Sequence, residues 1–534
     1  MNISTIPDLL INAQEKYANN IALISHKKSL TYSKLYELSL QLSALLVDQN
    51  VSKSDRIIIC LPKCQELTIA IFGSLFTGAT YVPIDYSTPV DRAALIIEDV
   101  EPKAIICTAK LLGQLFPNSS EDIKNQNGVS NGFQAFICFF NKNFNQPFQS
   151  DYIASWDNIL NFKPLVKIKK LSPSENSYIL FTSGSTGRPK GVLHTHLSAL
   201  TFIKWASLHL KITSSDIMSQ HASPSFDLTV FDFYCSVMNG ATLVSIPEWM
   251  FGRISRIYKF IIESKITIWY SVPSALLHPD HTESFKMLSN SSLRAVVFAG
   301  EVIPKNLLIK FCEYLPKGCT VSNWYGPTET NVCTFHDITE DDFVTEQSIP
   351  IGKTCPYATA KFETPELLEE GEILKSQLLI NSPTVMKGYW RKKNLTDLTM
   401  VEDSKGDRYY KTGDNVIFDN NKMIFIGRND RLLKVGGFRI QPEEIEIVLS
   451  SKKEIIEAVV VTRKKGGKEI LVAAIISEEK INNTELKRYC AIKLPSYMIP
   501  SLIVNIKTMP RDKRGKVDVN AVKNLIEEKE LSVE

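Results

Sequence analysis

The chain is short of most features that mark the large functional classes. Charge of one sign is nearly absent: 61 Lys and Arg against 58 Asp and Glu leave a net +3, with the two signs interspersed. That excludes the basic footprint of a nucleic-acid binder. Long hydrophobic runs are missing too. The most apolar stretch, "AIFGSLFTGATYVPI", is too short to span a bilayer and is broken by glycines. The start, "MNISTIPDLLINAQEKY", has no basic region followed by an apolar core, so no secretory signal is expected. The ten cysteines form no CxxC pair and no zinc-type spacing with histidine, which excludes a metal cluster and a disulfide framework. They read as reduced thiols, and a soluble cytoplasmic protein is expected. No internal repeat is present.

What is there is ordinary in bulk and specific in detail. At 534 residues the chain exceeds a single hydrophobic core, and 44% hydrophobic with 22% charged residues suits a globular enzyme of two or more domains. Strand-like runs "RIIICL", "AIICT" and "RAVVFAG" alternate with helix-like segments such as "YSKLYELSLQLSALLVDQ". The alternation predicts an α/β fold with a largely parallel sheet. The polar stretch "FPNSSEDIKNQNGVSNG" reads as a surface insertion. After "MIFIGRND" the elements shorten and Lys and Glu become dense, which puts a boundary at Asp430. Residues 1–429 are then a core domain and 430–534 a small C-terminal domain.

The most informative stretch is "FTSGSTGRPKG", Phe181–Gly191, which follows the apolar "SYIL". Backbone N–H groups freed by glycine, hydroxyls and positive charge together suit phosphate oxygens. No Gly–Lys–Ser/Thr follows at Walker spacing, so a P-loop is excluded. Taken alone, such a loop reads more readily as a flexible polar turn.

Seven further motifs follow in order: "SFDLTVFDF", "FAGE", "NWYGPTET", "YKTGD", "GRNDRLLKVGGFRIQPEEIE", "LPSYMIP" and "RGKVD". From "LTYSKL" to "GKVD" the chain resembles the adenylate-forming superfamily of acyl-CoA synthetases, luciferases and nonribosomal peptide synthetase adenylation domains. The resemblance implies a large N-terminal domain of layered sheets and helices carrying a small mobile α+β C-terminal domain, with ATP and Mg²⁺ as cofactors. ATP and a carboxylate must react while both are anionic, so the site needs a cation and donors to the phosphates. Thr182, Ser183, Gly184, Ser185, Thr186 and Gly187 would cradle the β- and γ-phosphates, with Lys190 nearby. Glu329 would hold Mg²⁺. Ala299, Gly300, Glu301, Asn323, Trp324, Tyr325, Gly326 and Thr328 would line the nucleotide, Tyr325 facing adenine. Asp414 and Arg428 would take the ribose, and Lys516 would bridge the carboxylate and the α-phosphate. Lys516, Thr182 and Glu329 are the catalytic candidates.

Asp227 speaks to the substrate. Acyl-CoA synthetases need no acid there, whereas amino-acid-activating relatives pair one with the substrate ammonium; the plainer reading is a helix N-cap. The resemblance carries the pocket onto Asp227, Leu228, Phe231, Tyr270, Val297, Ala299, Trp324, Val332, Cys333 and Lys516. Between Asp227 and Lys516 this set holds no charged side chain, so a small apolar amino acid is expected. The set looks like that of free-standing L-proline-adenylating proteins of pyrrole-type and anatoxin-type biosynthesis. Alanine, valine and pipecolate differ from proline by little binding energy and stay open.

No carrier-domain serine motif follows "GKVD", so the acceptor would be the phosphopantetheine thiol of a separate acyl or peptidyl carrier protein. The C-terminal domain would swing about Asp430, with "KVGGF" lining the thiol's path. Two departures from the family pattern bear on that domain: Arg514 stands where Asn is usual before "GK", and Gln441 and Glu443 replace the Glu and Gly frequent in amino-acid-activating relatives. Rival readings are an acyl- or aryl-CoA ligase, a D-alanyl carrier-protein ligase, and a nucleotide-binding regulatory protein without catalysis.

Overall fold

The computed structural model describes residues 3–115, 135–139, 152–166, 168–184, 187–251, 253–345, 347–367, 374–419, 422–428, 431–465, 468–477, 482–511 and 517–531. The polar insertion, Ser185, Thr186, Asp430, Arg514 and Lys516 lie outside the described residues.

Among the described residues, two large sheets make up most of the N-terminal domain. One has nine strands, and its centre runs Thr320–Tyr325, Ala295–Ala299, Ile268–Ser271, Ile217–Gln220, Thr242–Ser245 and Ile21–Ser25, all paired in parallel. The strand "AVVFA" at Ala295–Ala299 is buried along its whole length, as a strand covered on both faces must be. The other sheet has eight strands. Arg56–Cys60 lies between Thr80–Pro83 and Ala104–Thr108, and the glycine-rich loop joins Asn176–Thr182 to its antiparallel neighbour Lys190–Thr195. A third, five-stranded sheet includes Arg408–Asp419 and Lys422–Arg428.

Helices fill the space between the two large sheets. The helix Leu228–Asn239, "LTVFDFYCSVMN", has apolar residues around most of its circumference and is buried through Val237. It packs on Ile6–Tyr17 and His196–His209 within one cluster that draws on both sheets. The predicted segments correspond to the helix Tyr32–Asp48 and the strands Arg56–Cys60, Ala104–Thr108 and Ala295–Ala299. No described helix is long and apolar enough to cross a membrane.

The C-terminal domain is smaller and mixed. A hairpin, Leu433–Val435 with Phe438–Ile440, precedes the helix Pro442–Ser450 and a sheet of Ile455–Lys465, Lys468–Ser477 and Leu502–Asn505. Its two hydrophobic clusters lie on the two faces of that sheet and contain only residues of this domain.

Candidate active site

The site lies beyond the carboxyl ends of the parallel strands, where open α/β sheets bind ligands. The strands ending at Ser271 and Ala299, the turn at Gly326–Thr328 and the end of Asn176–Thr182 converge there. A small cavity of about 70 Å³ is lined by Thr182, Ser183, Asp227, Leu228, Tyr270, Ala299, Gly300, Gly326, Thr328 and Val332. Asp414, Arg428, Gly437, Phe438 and Arg439 complete its wall.

Asp227 immediately precedes the helix Leu228–Asn239, but its side chain makes no capping hydrogen bond. Burial raises its carboxyl above the usual range, while the Thr328 hydroxyl and the Arg439 guanidinium pull the other way. Such a carboxylate favours a cation delivered through the cavity. Thr182 Oγ1 is also buried, with no hydrogen-bond partner among the described residues. In the loop, Gly184 has no room for a side chain, because a Cβ would lie 2.2 Å from the Arg188 carbonyl oxygen.

Glu329 is fully buried and surrounded by donors. Lys190 Nζ lies 3.1 Å from its Oε1, the Tyr389 hydroxyl donates to the same oxygen at 2.7 Å, and Arg439 donates to Oε2 at 2.5 Å. Burial alone would raise this carboxyl, yet Arg439, Lys190 and Tyr389 hold it well below the usual range. Beside it, the Tyr325 hydroxyl donates to Asp414 Oδ2 at 2.5 Å and Arg428 holds the other Asp414 oxygen. Lys434 Nζ sits over the Tyr325 ring, 5.6 Å from its centre.

The C-terminal domain reaches this site through its hairpin. The Gly437 N–H donates to Glu301 at 2.7 Å, and Ser183 Oγ donates to the Arg439 carbonyl at 2.7 Å. Phe438 lies 3.7 Å from Tyr497 in a stack and meets Phe226 edge-on. Gly437 has φ +79°, and a Cβ there would lie 2.2 Å from Val272 Cγ1, so only glycine fits. A wide cleft of about 1550 Å³ extends outward from Val272 and Gly436 between the domains, past His221, Glu301 and Lys523.

Residues 10–390 match the AMP-binding enzyme family, and residues 444–516 match the AMP-binding enzyme C-terminal domain. The chain belongs to the AMP-binding enzyme family. It is an AMP-forming ligase. An L-proline–[L-prolyl-carrier protein] ligase of Pseudomonas fluorescens is 30% identical, covering 97% of this chain and 98% of its own. A D-alanine–D-alanyl carrier protein ligase of Bacillus cytotoxicus is 32% identical, over 95% and 98%. The fold is also that of the Vibrio cholerae adenylation domain AlmE, solved with glycyl-adenosine-5'-phosphate: TM-score 0.76, 21% identity, 99% of this chain and 98% of that one covered.

In this AMP-binding enzyme the residues expected around the substrate fall into two layers. Asp227, Leu228, Tyr270, Ala299 and Val332 line the cavity. Phe231, Val297 and Trp324 lie behind them: Phe231 packs edge-on against Tyr270 at 5.0 Å and against Trp324 at 5.6 Å. Cys333 does not reach the pocket. Val332 joins the core on the substrate side, while Cys333 turns the opposite way into a cluster with Tyr325, Ile351 and Leu378. Asn323 is buried and gives its amide to the Pro350 carbonyl. Ser185, Thr186 and Lys516 lie outside the described residues. The described neighbours of Lys516, Val517 and Val519, pack on the C-terminal sheet.

Three contributors went unread in the sequence. Tyr389 reaches Glu329 from a two-residue strand, Gly388–Tyr389, that pairs with Val192 and Leu193. His194 is buried within hydrogen-bonding distance of the Thr328 carbonyl, at 2.9 Å, and stacks on Tyr178. Arg439 follows the "KVGGF" segment directly, but only the folded chain brings it to Glu329.

Among the described residues no group of three or more His, Cys, Asp or Glu could hold a metal. A lone buried carboxylate that carries cations suits a divalent ion bound chiefly by substrate phosphate oxygens, so Glu329 fits Mg²⁺ brought with ATP.

Proposed function

We propose that this enzyme activates L-proline with ATP as prolyl-AMP, releasing pyrophosphate, and then transfers the prolyl group to the phosphopantetheine thiol of a separate carrier protein. Secondary-metabolite biosynthesis of the pyrrole or anatoxin type is the setting that fits. The observation that carries this reading is Asp227, a carboxylate with raised pKa at the end of a small cavity walled by Leu228, Tyr270, Ala299 and Val332. An amino-acid ammonium supplies the cation this carboxylate lacks, and the apolar wall accepts a compact hydrocarbon ring. An acyl or aryl acid would leave Asp227 unpaired.

In the first half-reaction the amino-acid carboxylate attacks the α-phosphorus of ATP. The phosphoanhydride bond breaks, and pyrophosphate leaves with its electron pair. Lys516 would lie between the two anions, Thr182 and Ser183 would donate to phosphate oxygens, and Asp414 would accept the ribose hydroxyls. Mg²⁺ on Glu329 would neutralise charge on the phosphates. In the second half-reaction a thiolate attacks the acyl carbon and AMP leaves. The wide cleft between the domains, bounded by "KVGGF", supports a thiol path. A boundary and hinge at Asp430, with residues 1–429 and 430–534 as its two sides, completes the reading.

The test is ATP–pyrophosphate exchange with a substrate panel. L-Proline should exceed D-alanine, L-valine, L-pipecolate and benzoate by at least tenfold. Lys516→Ala should lower the proline rate by more than tenfold, a barrier increase of about 1.4 kcal/mol. D-Alanine as best substrate would replace proline by the alternative that the Bacillus cytotoxicus relative favours.

A further inference from the structure

We propose that Trp205 is a positioning residue that limits the size of the amino acid taken: it holds Trp324, and through it Tyr270, against the substrate. This rests on the amino-acid-activating reading above and adds a residue outside the set expected around the substrate.

Trp205 stands on the helix His196–His209, one turn before His209, so the two side chains share a face. Their rings stack at 5.1 Å with 15° between the planes, and His209 Nε2 lies 3.0 Å from Asp337 Oδ1. The same indole meets Trp324 at 4.9 Å. Phe335 at 5.1 Å and Tyr357 at 5.9 Å close round it. Phe335 is itself the cross-strand partner of Trp324, where Thr334–Asp337 pairs with Thr320–Tyr325. Trp324 in turn supports Tyr270 at 5.4 Å and Phe231 at 5.6 Å. Tyr270 lines the small cavity that holds Asp227. A continuous line of side chains thus runs from Asp337, which is 45% exposed, to the substrate pocket.

Trp324 has no polar anchor. Its Nε1 is buried without a hydrogen-bond partner among the described residues, whereas a buried indole N–H usually finds one. Packing therefore fixes the ring. Phe231 and Tyr270 are buried, but Trp205 is only half-buried, so the packing behind Trp324 thins toward solvent there. Removing the Trp205 ring opens space on that side, and the site can collapse into it because no directional bond restrains the indole. Tyr270 follows, and the cavity deepens. With Trp205 in place, a side chain much longer than that of proline overpacks against three successive rings, those of Tyr270, Trp324 and Trp205.

Pyrophosphate exchange with paired substrates tests this. Trp205→Ala should raise kcat/KM for L-phenylalanine and L-leucine at least tenfold relative to the best small amino acid of the panel. Trp205→Phe, which keeps a ring, should shift that ratio less than threefold. A merely structural role lowers both rates in proportion, so an unchanged ratio in a folded Trp205→Ala protein overturns the proposal. Trp205→Leu fills more of the site and should shift the ratio the same way, which keeps the comparison open where the alanine variant fails to fold. Trp324→Leu should shift the ratio too, and Trp205→Ala added to it should change the ratio less than a further threefold. Two full effects that multiply would show that Trp205 does not act through Trp324, and overturn the proposal. A crystal structure of the Trp205→Ala or Trp205→Leu protein without ligand should show the Trp324 and Tyr270 rings displaced and a cavity larger than about 70 Å³. Rings in their original places overturn it equally. The crystal needs no substrate, and the ratio is referred to whichever small amino acid the wild type prefers, so failure of the proline reading shows separately.

Discussion

Replacing Asp227 with asparagine should move substrate binding and stability in opposite directions. The carboxylate lines the cavity beside Leu228 and Tyr270, makes no helix-capping bond, and has its pKa raised chiefly by burial. A hydrogen bond to a charged group contributes about 1.5–3 kcal/mol. At about 1.4 kcal/mol per tenfold, its loss should raise the amino-acid KM about 10- to 150-fold. The KM for ATP should stay within about twofold, because Asp414, Arg428 and Tyr325, the residues proposed to hold the nucleotide, are untouched. Stability goes the other way. A carboxyl whose folded pKa lies above its unfolded value disfavours the fold once pH exceeds the unfolded pKa, so removing the charge should hold or raise Tm at neutral pH. In the wild type the amino-acid KM should climb as pH falls through the raised Asp227 pKa, and the Asn variant should lose that limb. Pyrophosphate exchange at varied proline, ATP and pH, beside thermal melts, gives all three readouts. An unchanged amino-acid KM would refute the reasoning and leave Asp227 a residue of the helix start.

Gly437→Ala should lower thiol loading at least tenfold while pyrophosphate exchange changes less than threefold, because its Cβ would meet Val272 Cγ1 at 2.2 Å and its φ is +79°. Val272→Ala in the same chain should recover part of the loading, and equal loss of both half-reactions would count against the hairpin's selective role. Acid should also destabilise the fold early. His194, His196 and His221 are buried with pKa values lowered from 6.5 to about 4, about 4 and about 3, chiefly by desolvation. Their contribution is complete above pH 6.5 and is lost as pH falls through the interval down to those values, about 3 kcal/mol each for His194 and His196 and about 5 kcal/mol for His221. Tm measured from pH 7.5 to 4 should therefore begin to fall near pH 6.5, and a flat profile down to pH 4.5 would contradict it.

Local pattern and motif order made the architecture legible. The all-apolar "AVVFA" could only be an internal strand, "YSKLYELSLQLSALLVDQ" had helical period, and the glycines and hydroxyls of "FTSGSTGRPKG" had no use in a core. These are properties of a few consecutive residues, which a linear chain displays in full. Asp227 was legible for the same reason, as an acid among aromatic and aliphatic neighbours.

Contacts between distant segments were not legible. Which pocket residues touch the cavity depends on the side of the chain each one takes, and that separates Val332 from Cys333 although they are adjacent. Tyr389 and Glu329 stand 60 positions apart and meet only because a short strand pairs with Val192 and Leu193. Arg439 and Glu329 are 110 positions apart and belong to different domains. Sequence determined the layers, the glycine-rich loop and the acid in the pocket, since propensity and burial pattern are local. Tertiary structure alone decided which cations share the buried Glu329 carboxylate, because electrostatic partnership depends on distance in space and not on separation along the chain.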